Sequence, residues 1–419
     1  NRDWHFDAPD LGARFGIQTV TQLNDLADIL RDDSSEYPEI THEIGDSWLH
    51  GAASDPSKLA RLRALLRYRR TLLDEGVCVK ALRDFDEALL LSAEHTWGLD
   101  EKNHLADNTH YLPEDFAQVR ARGSADHARR PSFTAFEASW QEQRRYLDNA
   151  VEALPQVLRP DEIDPGLQKP YTPEILLADL LADRGLKLII RYQVFDHRDF
   201  ATYFAHYNRN RHQRWVYEDF TKPGLEHFGE CAAAWELKPT NAWCTLSFPV
   251  GDHPAAQPPR CVAFGLKREI ALPIGHQLDH LHLNFQDKPA NRWPEALWVG
   301  LIPVHSGKVS LSTDKLGERI ELDHVANRAA RLHAAGETID MTRGDQRWNI
   351  EPMDTPIFTD HPSRLLDPRP LSLNHDTIPS GLWFNIYNNV WGTNFPMWMG
   401  GDWTARFNLR SAEVTPHQR

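Results

Sequence analysis

Glu43-Ile-Gly-Asp-Ser-Trp-Leu-His-Gly-Ala-Ala-Ser-Asp-Pro56 is the stretch on which the division of this chain turns. Before it, short strand and helix signals alternate. Phe15 to Val20 reads as a strand. Thr21 reads as the N-cap of a helix with Leu23, Leu26, Ile29 and Leu30 on one face, and Glu39 to Ile44 as another strand. Strands alternating with helices imply a parallel sheet. The stretch ends in Asp55-Pro56, a helix start in which Asp caps and Pro fits the first turn. It is thus a loop between a strand end and a capped helix, where α/β enzymes place catalytic groups.

Downstream, residues 55–160 read as a helical bundle. Leu59, Leu62, Leu65, Leu66, Leu72 and Leu73 follow helical spacing. A second helix is expected from Val79 to Glu94. A third, starting near Ser132, carries Phe133, Phe136, Trp140, Tyr146 and Val151. The long polar connection from Gly98 to Pro131 leaves room for a short helix at Pro113 to Ala121. Pro155, Pro160 and Pro165 mark a linker. Beyond it the clearest strands are Leu186 to Phe195, Cys261 to Leu272, His280 to Phe285, Ala296 to Val304, Leu382 to Val390 and Thr404 to Leu409. With Pro- and Gly-rich turns between them, they predict a large antiparallel β-sandwich over residues 161–419. The fold class is multidomain α+β, with the end of an α/β domain at residues 1–54.

Composition narrows the function classes. The chain has 419 residues, 41% of them hydrophobic and 25% charged, which suits a soluble globular protein of two or three domains. A formal net charge of −14 argues against a nucleic-acid partner. The basic run Arg61 to Arg70 is read as an exposed helix face. No stretch is apolar for the roughly 20 residues that span a bilayer. Asn1 to Asp10 lacks the pattern of a secretory signal. Four cysteines without a CxxC pair suggest neither a cysteine zinc site nor a disulfide scaffold, and place a cytoplasmic location ahead of a secreted one. The 14 tryptophans suit stacking on sugars but are more simply core material of a β domain.

Three segments hold residues suited to chemistry. In the first, Asp46 stands near Trp48 and His50, and a carboxylate beside an aromatic can hold a raised pKa and act as a general acid. Asp55 is better read as a helix cap. In the second, Ser92-Ala-Glu-His-Thr-Trp-Gly-Leu-Asp100, His95 ends an apolar helix. It can ligate a metal with Glu94 and Asp100 behind it, although the helix dipole alone would also favour a histidine there. In the third, His276, His280 and His282 share one face of a strand with Leu281, Leu283 and Phe285 on the other. A solvated sheet face explains that alternation better than a metal does. His5-Phe-Asp7 has metal-pair spacing but precedes any clear strand.

Together these segments resemble the family 38 (α-mannosidase-type) glycoside hydrolases. In that family an α/β barrel leads into a three-helix bundle and then into large β-sandwich domains. The resemblance implies that residues 1–54 are the remnant of such a barrel. The family's general acid/base aspartate lies five residues before a glycine, as Asp46 stands before Gly51. His95 matches the family's zinc ligand in place, with Thr96 where the family commonly has Asp. Trp48, His50 and Trp97 are then expected to line the substrate site. A closer resemblance is to an uncharacterised bacterial branch, the domain of unknown function 5054. Its motifs look like Ile44 to Gly51, Glu94-His-Thr-Trp-Gly98, Glu218 to Glu226, Lys288 to Trp298 and Asn388 to Trp398.

What the resemblance implies is a zinc-dependent (or other divalent-metal) retaining α-glycosidase acting on an oligosaccharide or glycoside. The first zinc motif and the aspartate nucleophile are expected upstream of residue 1. A non-catalytic glycan-binding β-sandwich protein, using Trp391 and Trp398, is the alternative. A metal-dependent hydrolase or lyase of a sugar derivative is a third reading. Self-association into a homo-oligomer is left open.

Overall fold

Asp55 starts the first long helix as its spacing predicts. Its Oδ1 accepts the Lys58 N–H at 3.0 Å, and Pro56 sits in the first turn. Its Oδ2 accepts Arg144 Nε at 2.7 Å, so both carboxylate oxygens are used structurally. The computed structural model describes residues 48–93, 97–100, 104–105, 107, 110–122, 133–163, 181–195, 231–236, 243–246, 253–268, 278–305, 307–315, 317–322, 332–360, 379–390 and 394–412. The expected barrel remnant, apart from its last residues, lies outside them.

The long helices are α1 (Pro56–Asp74), α2 (Arg83–Ala93), α3 (Pro113–Arg122) and α4 (Phe133–Ala153), with a 3-10 turn at Val79–Leu82 leading into α2. Leu65 and Leu72 of α1, Phe85 and Leu89 of α2, and Leu147, Ala150 and Leu154 in and just after α4 form one buried apolar cluster. Of the leucines expected on one face of α1, Leu65 and Leu72 are buried here with Leu62 and Leu73 packed against them, whereas Leu59 joins the sandwich core and Leu66 is exposed; Phe133, Phe136 and Trp140 of α4 form a separate cluster with Trp398.

Fourteen strands follow among the described residues: β1 (Leu186–Val194), β2 (Cys231–Glu236), β3 (Trp243–Leu246), β4 (Arg260–Arg268), β5 (Leu278–Lys288), β6 (Glu295–Pro303), β7 (Ser310–Lys315), β8 (Glu318–Glu321), β9 (His333–Ala334), β10 (Ile339–Arg343), β11 (Gln346–Pro352), β12 (Ile357–Thr359), β13 (Leu382–Asn388) and β14 (Gly401–Ala412). Among these residues they make a sheet of order β2-β1-β6-β13-β12-β9 and a second of order β3-β4-β5-β14-β11-β10-β7-β8. Every pairing between them is antiparallel.

The two sheets share one core, as in a sandwich. Phe384 of β13 meets Phe407 of β14 at a ring-centroid distance of 4.6 Å, and Tyr387 meets Trp403 at 5.9 Å. Strands β6 and β13 are buried along their whole length, the pattern of strands covered on both faces. The same apolar cluster takes in Ala53, Leu59, Trp97 and Tyr111 from the helical part.

The basic run on α1 is not a solvated face. Arg63 Nε donates to Pro352 O at 2.9 Å and its Nη1 to Gly336 O at 2.9 Å, while Arg67 Nη1 donates to Met353 O at 2.5 Å. Arg69 pairs with Asp86 at 2.6 Å, and Arg70 with Glu337 at 2.5 Å. The arginines therefore bind α1 to loops of the sandwich and to α2. Burial, with Arg67 alongside, pulls the Arg63 guanidinium down to about 10.

Candidate active site

Trp48 opens the described part of the 44–51 motif. A short helical turn, Leu49–Ala52, follows it and is closed by the Gly51 N–H donating to Trp48 O at 2.9 Å. The residue lying against this turn is Phe395, which comes from the 388–398 motif. Its ring centroid is 6.0 Å from Trp48 and 5.3 Å from Trp97. A Cβ placed on Gly51 would stand 2.4 Å from Phe395 Cδ2, so glycine is what lets the turn approach the ring.

Trp97 is buried, and the ammonium of Lys58 sits over its ring at 3.9 Å from the centroid. Gly98 has a related constraint: a Cβ there would meet Trp140 Cδ1 of α4 at 2.4 Å. The backbone of the first motif is held as well. Asn388 Nδ2 donates to His50 O at 2.8 Å, and the Asn388 N–H donates to Ala53 O at 3.3 Å. His50 itself is buried.

A second layer of polar groups fixes the 388–398 segment. Asn389 Nδ2 donates to Asn291 O at 3.0 Å and Trp293 O at 2.9 Å, and Asn389 Oδ1 accepts the Glu295 N–H at 2.8 Å. Glu295 is fully buried and pairs with Lys288 at 2.6 Å; its other oxygen accepts from Tyr192 and, at 3.1 Å, from Asn291 Nδ2. Burial pushes the Glu295 carboxyl up and the Lys288 ammonium down, each opposed by its partner. Burial likewise lifts the Tyr192 phenol well above its ordinary range, with the Glu295 charge adding to it.

Trp398, at the end of the segment, stacks edge-on with Phe116, Phe133 and Trp140 and donates from Nε1 to Glu137 at 2.7 Å. It is 3% exposed, so its indole face is not open to a sugar. Arg292 completes the junction, its Nη1 donating to Asp107 at 2.9 Å and its guanidinium lying 4.0 Å from the Tyr111 ring centroid.

Of the residues singled out from sequence, Trp48, His50 and Trp97 lie within this one cluster. Asp46, His95, Trp391 and His276 lie outside the described residues. On β5, His280 Nδ1 bonds to Asn408 Oδ1 at 2.6 Å, His282 is buried, and Leu281, Leu283 and Phe285 enter the core. Among the described residues no group of three His, Cys, Asp or Glu could hold a metal ion. No helix among them is long and apolar enough to cross a membrane. Phe395, Asn388 and Lys58 had no assigned role from sequence. The 388–398 motif was visible, but its partner was not, because the contact spans more than 300 positions.

Comparison with known families bears on the helical part first. Residues 52–176 match the family model described as "Domain of unknown function (DUF5054)". The matched segment includes Lys58, Trp97, Gly98 and Trp140, while Trp48, Gly51, Asn388 and Phe395 fall outside the match. No curated protein matches the chain. Two solved structures from Enterococcus faecalis are similar to it: an alpha-mannosidase from strain V583, at 8% identity and a TM-score of 0.27, and a protein in glycosyl hydrolase family 38, at 7% and 0.27. Each match covers 56% of this chain, but only 26% and 27% of those chains, so this chain spans about a quarter of their length.

Proposed function

We propose that this chain is part of a carbohydrate-active hydrolase, a zinc-dependent retaining α-glycosidase of α-mannosidase type. One observation carries the reading. The described ends of the two motifs expected to bear chemistry, Trp48 and Trp97, meet on the single ring of Phe395. Asp46 precedes the first of these tryptophans by two residues, and His95 precedes the second by two.

In this reading Asp46 protonates the leaving glycosidic oxygen and then, as a carboxylate, takes a proton from the attacking water. A retaining enzyme also needs a carboxylate nucleophile about 5–5.5 Å from that group. The proposed metal ligand is His95, and zinc or another divalent ion there would hold sugar hydroxyls. Trp48, which is partly exposed, lines the approach, and the buried His50 supports it from behind. Trp97, buried between Phe395 and Lys58, supports the site from beneath. The substrate is an oligosaccharide or other glycoside.

The test is Asp46→Asn in the full-length protein, assayed on activated aryl α-glycosides. General acid–base catalysis contributes about 10²–10⁴-fold, and a loss in that range is expected. Hydrolysis at an unchanged rate removes Asp46 from this role. Metal content of the intact protein, with and without His95→Ala, tests the metal assignment separately.

A further inference from the structure

Phe395 belongs to the sandwich side of the junction, on the segment between β13 and β14, yet it touches both motif loops of the other side. Its ring lies against Trp48, Trp97 and the α-carbon of Gly51. It cannot drift independently, because the segment that carries it is fastened at several points. Asn389 Nδ2 also donates to Met397 O at 3.2 Å, tying the start of the segment to its end. Trp398 is bonded to Glu137 and packed against Trp140, which in turn backs Gly98. Asn388 reaches the first loop directly, through the carbonyls of His50 and Ala53.

We propose that Phe395 is a positioning residue that holds Trp48–Gly51 and Trp97–Gly98 in one shared geometry, so that groups carried by the two motifs act on one substrate. The functional half of this statement rests on the glycosidase reading above; the coupling half does not. Both indoles pack on one ring, so removing that ring takes a contact from each loop at once. Asn388 serves the first loop alone and gives an internal comparison.

Hydrogen–deuterium exchange on the full chain separates these parts. In Phe395→Ala, amides of residues 48–53 and of 97–99 are expected to exchange together about tenfold faster or more, as loss of two ring contacts implies for local opening. Amides of β6 stay as they were. Phe395→Tyr, which keeps the ring, restores slow exchange in both loops. Asn388→Ala speeds exchange in 48–53 while 97–99 responds little. If Phe395→Ala leaves either loop unchanged, or if β6 exchanges equally faster, the coupling is wrong. Should Phe395→Ala not fold, Phe395→Leu carries the same comparison. With the coupling seen, Phe395→Ala in an active full-length enzyme should lower kcat more than it raises KM, with Phe395→Tyr recovering it. Coupled loops in a protein that hydrolyses no glycoside would sink the glycosidase reading and leave the positioning role standing.

Discussion

Consider replacing Glu295 by Gln. The side chain keeps its shape, but Lys288 loses the charge that faces it at 2.6 Å. Lys288 is buried, and its other recorded bond is to Pro289 O at 2.8 Å. Removing one partner of a buried pair costs about 3–5 kcal/mol, because the remaining charge is left without water or counter-ion. That is a large part of the roughly 5–15 kcal/mol that holds a typical domain folded. Replacing both members, Lys288→Met with Glu295→Gln, removes the stranded charge. The double variant should therefore be more stable than Glu295→Gln alone, with a favourable coupling of about 0.5–3 kcal/mol.

The pH dependence has a definite sign. In Glu295→Gln the folded-state ammonium is held further below its ordinary value, since the partner that opposed burial is gone. Between that lowered folded-state value and about pH 10.5 the unfolded chain binds more protons than the folded one, so the variant's deficit shrinks as pH rises through this window. Guanidinium unfolding of the wild type, the two single variants and the double variant at pH 7 and pH 9.5 measures all of this. A Glu295→Gln variant that loses under about 1 kcal/mol, or a double variant whose loss from wild type equals the sum of the two single losses, refutes the argument that burial dominates this pair.

Two further outcomes follow from the same physics. Asp55→Asn keeps a side-chain acceptor for the Lys58 N–H but gives up the charge facing Arg144, whereas Asp55→Ala loses both. Thermal unfolding should rank them with Asn the milder, and loss of the cap alone accounts for about 0.5–2 kcal/mol. The Tyr192 phenol keeps its proton in the folded state well above its ordinary value, so stability conferred by it is complete below about pH 10 and is lost as pH rises beyond. In Tyr192→Phe the fall in stability above pH 10 should be shallower by up to about 1.4 kcal/mol per pH unit, read from alkaline denaturation curves. An unchanged slope would show that Tyr192 does not titrate with unfolding.

The order of helices and the principal strands were legible because their signals are local. Asp55-Pro56 carries its own capping chemistry, and the leucines of α1 and aromatics of α4 repeat at the helical period. The strands that entered the reading are long and apolar, such as β6 and β13. Those missed, such as β8 and β10, are short and partly exposed, so their side chains alternate too weakly to be distinguished from loop. The motif residues were also visible by type: Trp48, His50 and Trp97 stood out, and the 388–398 segment did too.

What composition and spacing could not supply was which motif faces which. The arginines of α1 looked like a solvated face, and only the folded chain shows them gripping the carbonyls of 335–336 and 352–353. Lys58 carried no role in the sequence, and only the folded chain brings its ammonium over the Trp97 ring. Phe395 likewise had no role until the fold set its ring against Trp48 and Trp97. The physical reason is common to all three. Periodicity and capping are properties of neighbours along the chain, whereas packing partners hundreds of residues apart are chosen by shape, charge and exclusion of water once every element is in place.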